Sequence, residues 1–281
     1  MNIDFVVSII VMIIVVIFTN LSSHLINWID YKQKSDIGVF VISGVRNNNL
    51  DIPLYDIKNG FNQNNLSNRF YLEKQMWKKY IKYNKNIDIY FLECEKCIEP
   101  MTINTEKLPC VESYKPGIFQ KTILSYRSLN WYKFYIRTNL STFIVKKYLV
   151  TALKNIPTNI PIYTGGSIRK WGNIQFVCGT SIVLNQLAKD ILINNVENND
   201  KDQYLIADDV IIGKIMKNNN INITYYKNMQ LYRWKWDLSF DDNVNIIDQI
   251  ESPFIRLKPQ NGKKHETISA FQKLIEYYHQ S

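Results

Sequence analysis

The sequence predicts an α/β domain built on a largely parallel sheet. Three observations point to it. Residues 37–45, IGVFVISGV, form a continuous apolar run of the kind that suits a strand buried on both faces. Short apolar runs then alternate with amphipathic stretches along the rest of the chain, the order expected of βαβ units. Neither a linker-like stretch nor an internal repeat divides residues 37–281, so one domain accounts for them.

The elements follow in order. Asn68 to Tyr83 fits a helix with Phe70, Trp77, Tyr80 and Ile81 inward. Ile87 to Leu92 reads as a second strand, and Gly117 to Leu129 as a helix with Phe119, Ile123 and Tyr126 on one face. Tyr132 to Ile136, rich in aromatic and β-branched residues, is a third strand. An amphipathic helix fits from Phe143, with Val145, Tyr148, Leu149, Ala152 and Leu153 at 3–4 spacing. Residues 160–166, IPIYTGG, suggest a short strand with a turn at Gly165-Gly166, and residues 174–185, IQFVCGTSIVLN, one strand running through a glycine. Helices are expected from Asn185 to Asn194 and from Asp208 to Lys217. Weak strands run to Leu257, and a helix from Thr267 to Tyr278 closes the chain.

With 281 residues, 46% of them hydrophobic, the chain can bury a substantial core. The net charge is +9, but Lys and Arg are scattered, with no basic stripe interleaved with aromatics. A solvated surface is expected and nucleic acid is not a partner. Cys94 and Cys97 form a CxxC with no second pair at zinc spacing. A disulfide is the alternative; inert thiols are the expectation. His24, His265 and His279 show no ligand spacing.

Phe5 to Ile29 contains no Asp, Glu, Lys or Arg. About 20 apolar residues span a bilayer, and no positive region precedes the run as in a cleaved signal peptide. The expected organisation is therefore a signal anchor, a transmembrane helix, over residues 1–29, a stem over 30–36 and the domain over 37–281. Lys32 and Lys34 follow the span, which by the positive-inside rule favours a cytoplasmic domain, though the side stays open between the cytoplasm and an endomembrane lumen.

Two places carry chemistry. A polar island, Arg137-Thr138-Asn139-Leu140-Ser141-Thr142, interrupts two core elements at a strand's carboxyl end, where α/β sheets bind ligands. Alternatively, Asn139 caps the next helix and Arg137 is a surface charge. Asp208 and Asp209 stand at the expected amino-terminal turn of a helix. One Asp suffices for capping and the helix dipole. The second carboxylate is left over and suits a general base.

Four segments, taken in this order, resemble the β1,3-galactosyltransferase and Fringe-like glycosyltransferases: NRFYLEKQMWKKY (68–80), KPGIFQKTILSYRSLNWYKFYIRTNLSTFIV (115–145), FVCGTSIVLNQLAKDI (176–191) and ADDVIIGKIMKNNNI (207–221). The resemblance covers about Ile37 to Lys258, and RTNLSTF is also similar to a divergent branch associated with large DNA viruses and microbial relatives. It implies a GT-A-like, Rossmann-type, mostly parallel sheet flanked by helices and preceded by one N-terminal transmembrane helix. It further implies a membrane-tethered transferase moving a sugar from a nucleotide donor, UDP-linked, to a glycan or glycoprotein acceptor with inversion. Asp209 is then the first choice of base and Asp208 the second. A catalytically inactive relative that binds glycans or acts as a scaffold is the alternative.

The departure is at the metal. Where the family carries an Asp-rich motif for Mn²⁺, this chain has Asn139-Leu140-Ser141, whose oxygens are neutral. Where the family often has a late histidine, Phe254 stands. Partial dependence on Mn²⁺ is expected, with Asn139 and Ser141 orienting the donor and Arg46 and Arg137 offsetting diphosphate charge; Arg169 and Arg256 are further basic candidates. Gly179 would let the backbone approach the sugar. Trp171 either stacks on a sugar ring or is partly buried in the core.

Overall fold

The computed structural model describes residues 35–43, 72–81, 87–94, 105–110, 113–129, 131–196, 202–258 and 264–279. Its centre is a six-stranded sheet. The strands are β1 (Ile37–Ile42), β2 (Asp88–Cys94), β3 (Thr105–Leu108), β4 (Phe134–Asn139), β6 (Tyr163–Gly165) and β9 (Ile182–Asn185), in the order β3-β2-β1-β4-β9-β6. β3, β2, β1 and β4 are mutually parallel, whereas β9 is antiparallel to both β4 and β6. The sheet is therefore mixed, more so than the apolar runs suggest. A buried run reads the same in either direction, because burial on two faces says nothing of a neighbour's sense.

Helices cover both faces. One face packs its Val39, Val41, Ile89, Phe91 and Ile136 against α1 (72–81), α3 (Lys146–Lys154), α7 (Phe240–Ile250) and α8 (Lys264–His279), which contribute Trp77, Leu149, Ile247 and Phe271. The other packs Phe40, Leu92 and Tyr135 against α2 (Gly117–Ser128), α4 (Gln186–Asn194) and α6 (Asp208–Asn218). The predicted inward faces hold: Trp77, Tyr80, Phe119, Ile123 and Tyr126 are all buried. A second sheet, in the order β10 (Leu231–Arg233), β11 (Phe254–Arg256), β5 (Thr142–Ile144), lies beyond the end of β4. A hairpin of β7 (Ile168–Trp171) and β8 (Ile174–Val177), the short helix α5 (Asp202–Leu205) and a 3-10 turn over Lys227–Met229 complete the described elements.

Several expectations are corrected. The helix expected from Phe143 begins at Lys146, because Thr142–Ile144 pairs antiparallel with β11. The single strand expected over 174–185 is two, β8 and β9, which join different sheets. The region of weak strands contains α7, with Ser239 as its N-cap accepting from the Asp242 N–H at 3.1 Å. Cys94 is not an inert thiol: it forms a disulfide with Cys110, with Cα atoms 5.1 Å apart. The pairing of Cys94 with Leu108 in the β2–β3 register is what brings Cys110 within reach. Among the described residues no helix is long and apolar enough to cross a membrane. The predicted anchor over 1–29, Phe70, Arg46 and Cys97 lie outside the described residues.

Candidate functional site

The parallel strands place their carboxyl ends at one edge of the sheet. From β1 the chain steps outward to β2 and β3, then returns to the other side of β1 as β4. The switch point therefore lies between β1 and β4, whose last residues Ile42 and Asn139 pair in register. Ligands of open α/β sheets bind in the crevice outside such a point. The polar island is the end of β4 and the tight turn into β5, not a helix cap: Asn139 closes β4, and Leu140-Ser141 is the turn. Trp77 Nε1 donates to the Leu140 carbonyl at 2.8 Å and holds that turn.

Arg137 is buried on β4, facing the α6 side of the sheet. Its Nη2 donates to Asp208 Oδ2 at 2.6 Å, and its Nη1 donates to the Gly179 carbonyl. Nε has no hydrogen-bond partner. The guanidinium is therefore taken up inside the fold. It is not a surface charge. Gly179 is explained by the same contact. A Cβ there would come within 2.6 Å of Arg137 Cζ, so the space beside its Cα holds a side chain of this protein rather than an approaching sugar.

The two aspartates at the start of α6 have separate jobs. Asp208 is buried and paired with Arg137. Burial pushes its carboxyl up to about 6; the Arg137 charge opposes the shift and Asp209 adds to it. Asp209 is half-buried, with Oδ2 accepting from the Gly179 N–H at 3.1 Å and Oδ1 from the Val210 N–H at 3.0 Å. These bonds fix the carboxylate at the helix start, beside the 178–181 loop that enters β9. That loop is tied to β4, because Thr138 Oγ1 donates to the Thr180 carbonyl at 2.8 Å. Asn139, two residues beyond Arg137, shares its face of the sheet and is half-buried. α6 itself sits close on β8 through Gly213, where a Cβ would lie 2.6 Å from Phe176 Cβ and 2.8 Å from the Gln175 carbonyl oxygen.

The other side of the switch point carries a charged group that sequence reasoning missed. At the ends of β1 and β2, Ser43 Oγ donates to Glu93 Oε1 at 3.0 Å, Lys74 pairs with the same carboxylate, and Lys121 Nζ donates to the Ser43 carbonyl at 2.6 Å. All four side chains are buried. The available signal was charge at positions facing inward on otherwise amphipathic helices, Lys74 on α1 and Lys121 on α2. Arg256 ends β11 against the Thr142 strand, its Nη1 donating to Thr142 Oγ1 at 3.3 Å. Phe254, two residues earlier, is wholly buried in the core.

Trp171 is not brought to this site. It is 53% exposed, so it is not a core residue either. It lies at the tip of the β7–β8 hairpin, where Lys217, at the far end of α6 from the aspartates, donates to the Asn173 carbonyl at 2.9 Å. Six residues of extended chain from Asn173 to Gly179 amount to about 20 Å. Arg169, on the same hairpin, is exposed and pairs with Phe176 on β8.

A cation site at the turn would draw on Asn139 and Ser141. Neither carries charge, Asp208 is paired with Arg137, and both oxygens of Asp209 accept backbone N–H groups. Among the described residues no group of three His, Cys, Asp or Glu side chains could hold a metal ion. This donor set does not fit Mn²⁺, a cation that favours charged oxygens.

No family model matches the sequence, and no curated protein matches it. Among solved structures, the chain is similar to a glycosyltransferase involved in the glycosylation of the major capsid of PBCV-1. The TM-score is 0.42 and the sequence identity 10%, over 84% of this chain and 98% of that one.

Proposed function

We propose that the chain is a glycosyltransferase with a GT-A-like domain, moving a hexose or N-acetylhexosamine from a UDP-linked sugar to a hydroxyl of a glycan or glycoprotein. The observation that carries this reading is the half-buried Asp209 carboxylate, fixed by the Gly179 and Val210 N–H groups beside the 178–181 loop that Thr138 ties to the end of β4. It agrees with the resemblance drawn from four ordered sequence segments. The acceptor oxygen attacks the anomeric carbon from the side opposite the donor phosphate. The new C–O bond forms as the bond to the diphosphate oxygen breaks, with inversion. The electron pair stays on the diphosphate, and the acceptor proton passes to Asp209. Asn139 and the Ser141 hydroxyl orient the donor. Asp208 acts on the reaction only through Arg137, which holds the 178–181 loop in place.

The apolar run over residues 5–29 would tether the domain to a membrane. The Cys94–Cys110 disulfide favours the oxidising, lumenal side over the cytoplasmic one. The second reading, an inactive glycan-binding or scaffold relative, is favoured by the uncharged Asn139-Leu140-Ser141 turn. One experiment separates the two. Full-length protein in detergent is incubated with a panel of nucleotide sugars, and release of nucleoside diphosphate is followed with and without glycan acceptors. Acceptor-stimulated release from one donor supports the transferase. Donor binding with no turnover on any acceptor supports the inactive relative.

A further inference from the structure

All four residues of β7, Ile168-Arg169-Lys170-Trp171, are exposed. Among the described residues β7 pairs with β8 alone, in a two-stranded sheet. The Cys178 N–H donates to the Ser167 carbonyl at 2.7 Å, so these two residues form a hydrogen-bonded pair of the antiparallel ladder. Such pairs alternate with non-hydrogen-bonded ones. Arg169 with Phe176 and Trp171 with Ile174 are then the bonded pairs, and the N–H and C=O groups of Ile168 and Lys170 point away from β8. Val177, opposite Ile168, obeys the same alternation: its N–H turns outward and donates to the Tyr163 hydroxyl of β6 at 2.8 Å. The outer edge of β8 is thus met by the main sheet at that point. Along the outer edge of β7 no strand lies among the described residues, and Arg169, Lys170 and Trp171 have no side-chain hydrogen bond, ion pair or ring contact there.

We propose that β7 is a docking edge for an acidic, extended segment of the acceptor polypeptide, which joins the β7–β8 hairpin as a third strand. In such an addition the backbone groups give affinity and the side chains give specificity. Ile168-Arg169-Lys170-Trp171 reads apolar, basic, basic, apolar, so the complementary strand reads apolar, acidic, acidic, apolar in either direction. The same two cations oppose pairing with β7 of a second copy, because like charges would then face each other across the edge. The Ser167–Cys178 pair at the base of the hairpin adjoins Gly179, whose N–H donates to Asp209 Oδ2. A strand on β7 therefore runs from the hairpin tip toward the proposed base, and a hydroxyl carried beyond its paired residues is directed there. The acceptor role rests on the transferase reading of the site; the docking edge does not.

The probe is a fluorescently labelled peptide, Thr-Val-Glu-Glu-Val-Thr, whose sequence reads alike in both directions. One control peptide carries Lys for both Glu, and a second is the acidic peptide N-methylated at its four central residues. Binding to the full-length protein in detergent is followed by fluorescence anisotropy at low salt. Wild type binds the acidic peptide about 10-fold or more tightly than either control. Ile168→Pro removes an outward N–H while keeping both cations and every β7–β8 bond, since an edge strand tolerates proline where its N–H faces solvent. It weakens binding about 3-fold or more at an unchanged thermal midpoint. The double variant Arg169→Glu, Lys170→Glu weakens it about 10-fold or more. Equal binding of the N-methylated peptide overturns strand pairing, equal binding of the Lys peptide overturns the acidic partner, and neither comparison needs a variant to fold. A dimer of the chain that Ile168→Pro dissociates gives the edge to a second copy and likewise overturns the proposal. Nucleotide-sugar turnover without peptide binding removes the docking edge and keeps the transferase. Peptide binding without turnover of any donor does the reverse, and failure of both removes both.

Discussion

Gly179→Ala is the sharpest perturbation of this site. Gly179 does not lie in the left-handed backbone region, where glycine would be needed for its conformation; among the described glycines positive φ is confined to Gly165 and Gly172. Its requirement is space alone. A methyl group there would sit within 2.6 Å of Arg137 Cζ and 3.0 Å of Nη2, against the guanidinium itself. Arg137 is buried and cannot swing into solvent, so the guanidinium must withdraw from Asp208 Oδ2 and from the Gly179 carbonyl. Separating one partner of a buried ion pair costs about 3–5 kcal/mol, because the other charge is left uncompensated. In a domain of this size that corresponds to a fall of roughly 6–20 °C in thermal midpoint. Urea denaturation at pH 7, where Asp208 is ionised, measures the cost directly. A loss below about 1 kcal/mol would refute the reasoning, since it would mean that Arg137 repacks freely and does not lock the loop to α6.

Asp209→Asn lowers sugar transfer by about 10²-fold or more while leaving UDP affinity intact, the signature of a lost general base; equal turnover in wild type and variant removes that role. Asp208→Asn acts chiefly on stability. The folded state raises the Asp208 carboxyl from 3.8 to about 6, so it holds its proton more tightly than the unfolded chain does. Its stabilising contribution is therefore complete below about pH 4 and declines as pH rises through about 6. Stability of wild type minus that of Asp208→Asn, measured by urea denaturation across that range, falls with pH; a flat difference contradicts the shift. Reducing the Cys94–Cys110 bond, which closes a separation of 16 residues, costs about 3 kcal/mol. Non-reducing peptide mapping with denaturation in dithiothreitol checks both the pairing and the cost, and two free thiols at 94 and 110 in the oxidised protein would refute it.

Much of this architecture was legible in local sequence. α2, α4 and α6 fall within a residue of their predicted bounds, because each carries a continuous apolar face and α4 begins at a capping residue: Asn185 Oδ1 accepts from the Ala188 N–H at 3.0 Å. α7 carried a signal that was not weighed, since Ser239 and Asp242 have the spacing of a cap with acidic residues in the first turn. The break between β8 and β9 carried no such signal. An apolar run through a glycine reads equally as one strand or two.

The sequence alone determined the α/β class and the inward faces of the helices, and it singled out the two stretches proposed to hold the chemistry, residues 137–142 and 208–209. These depend on patterns a few residues long, set by the pitch of a helix and the alternation of a strand. Tertiary structure alone decided what each residue there touches. Adjacent residues on a helix point about 100° apart. Only the docking of α6 on the sheet decides that Asp208 turns in to Arg137, 71 residues away, while Asp209 stays at the edge. The same holds for Gly179, which makes room for a side chain 42 residues distant, and for Arg256, which reaches Thr142 across 114 residues. Charge, hydrogen bonding and excluded volume act through space, and no local pattern in the chain encodes which distant groups the fold will bring together.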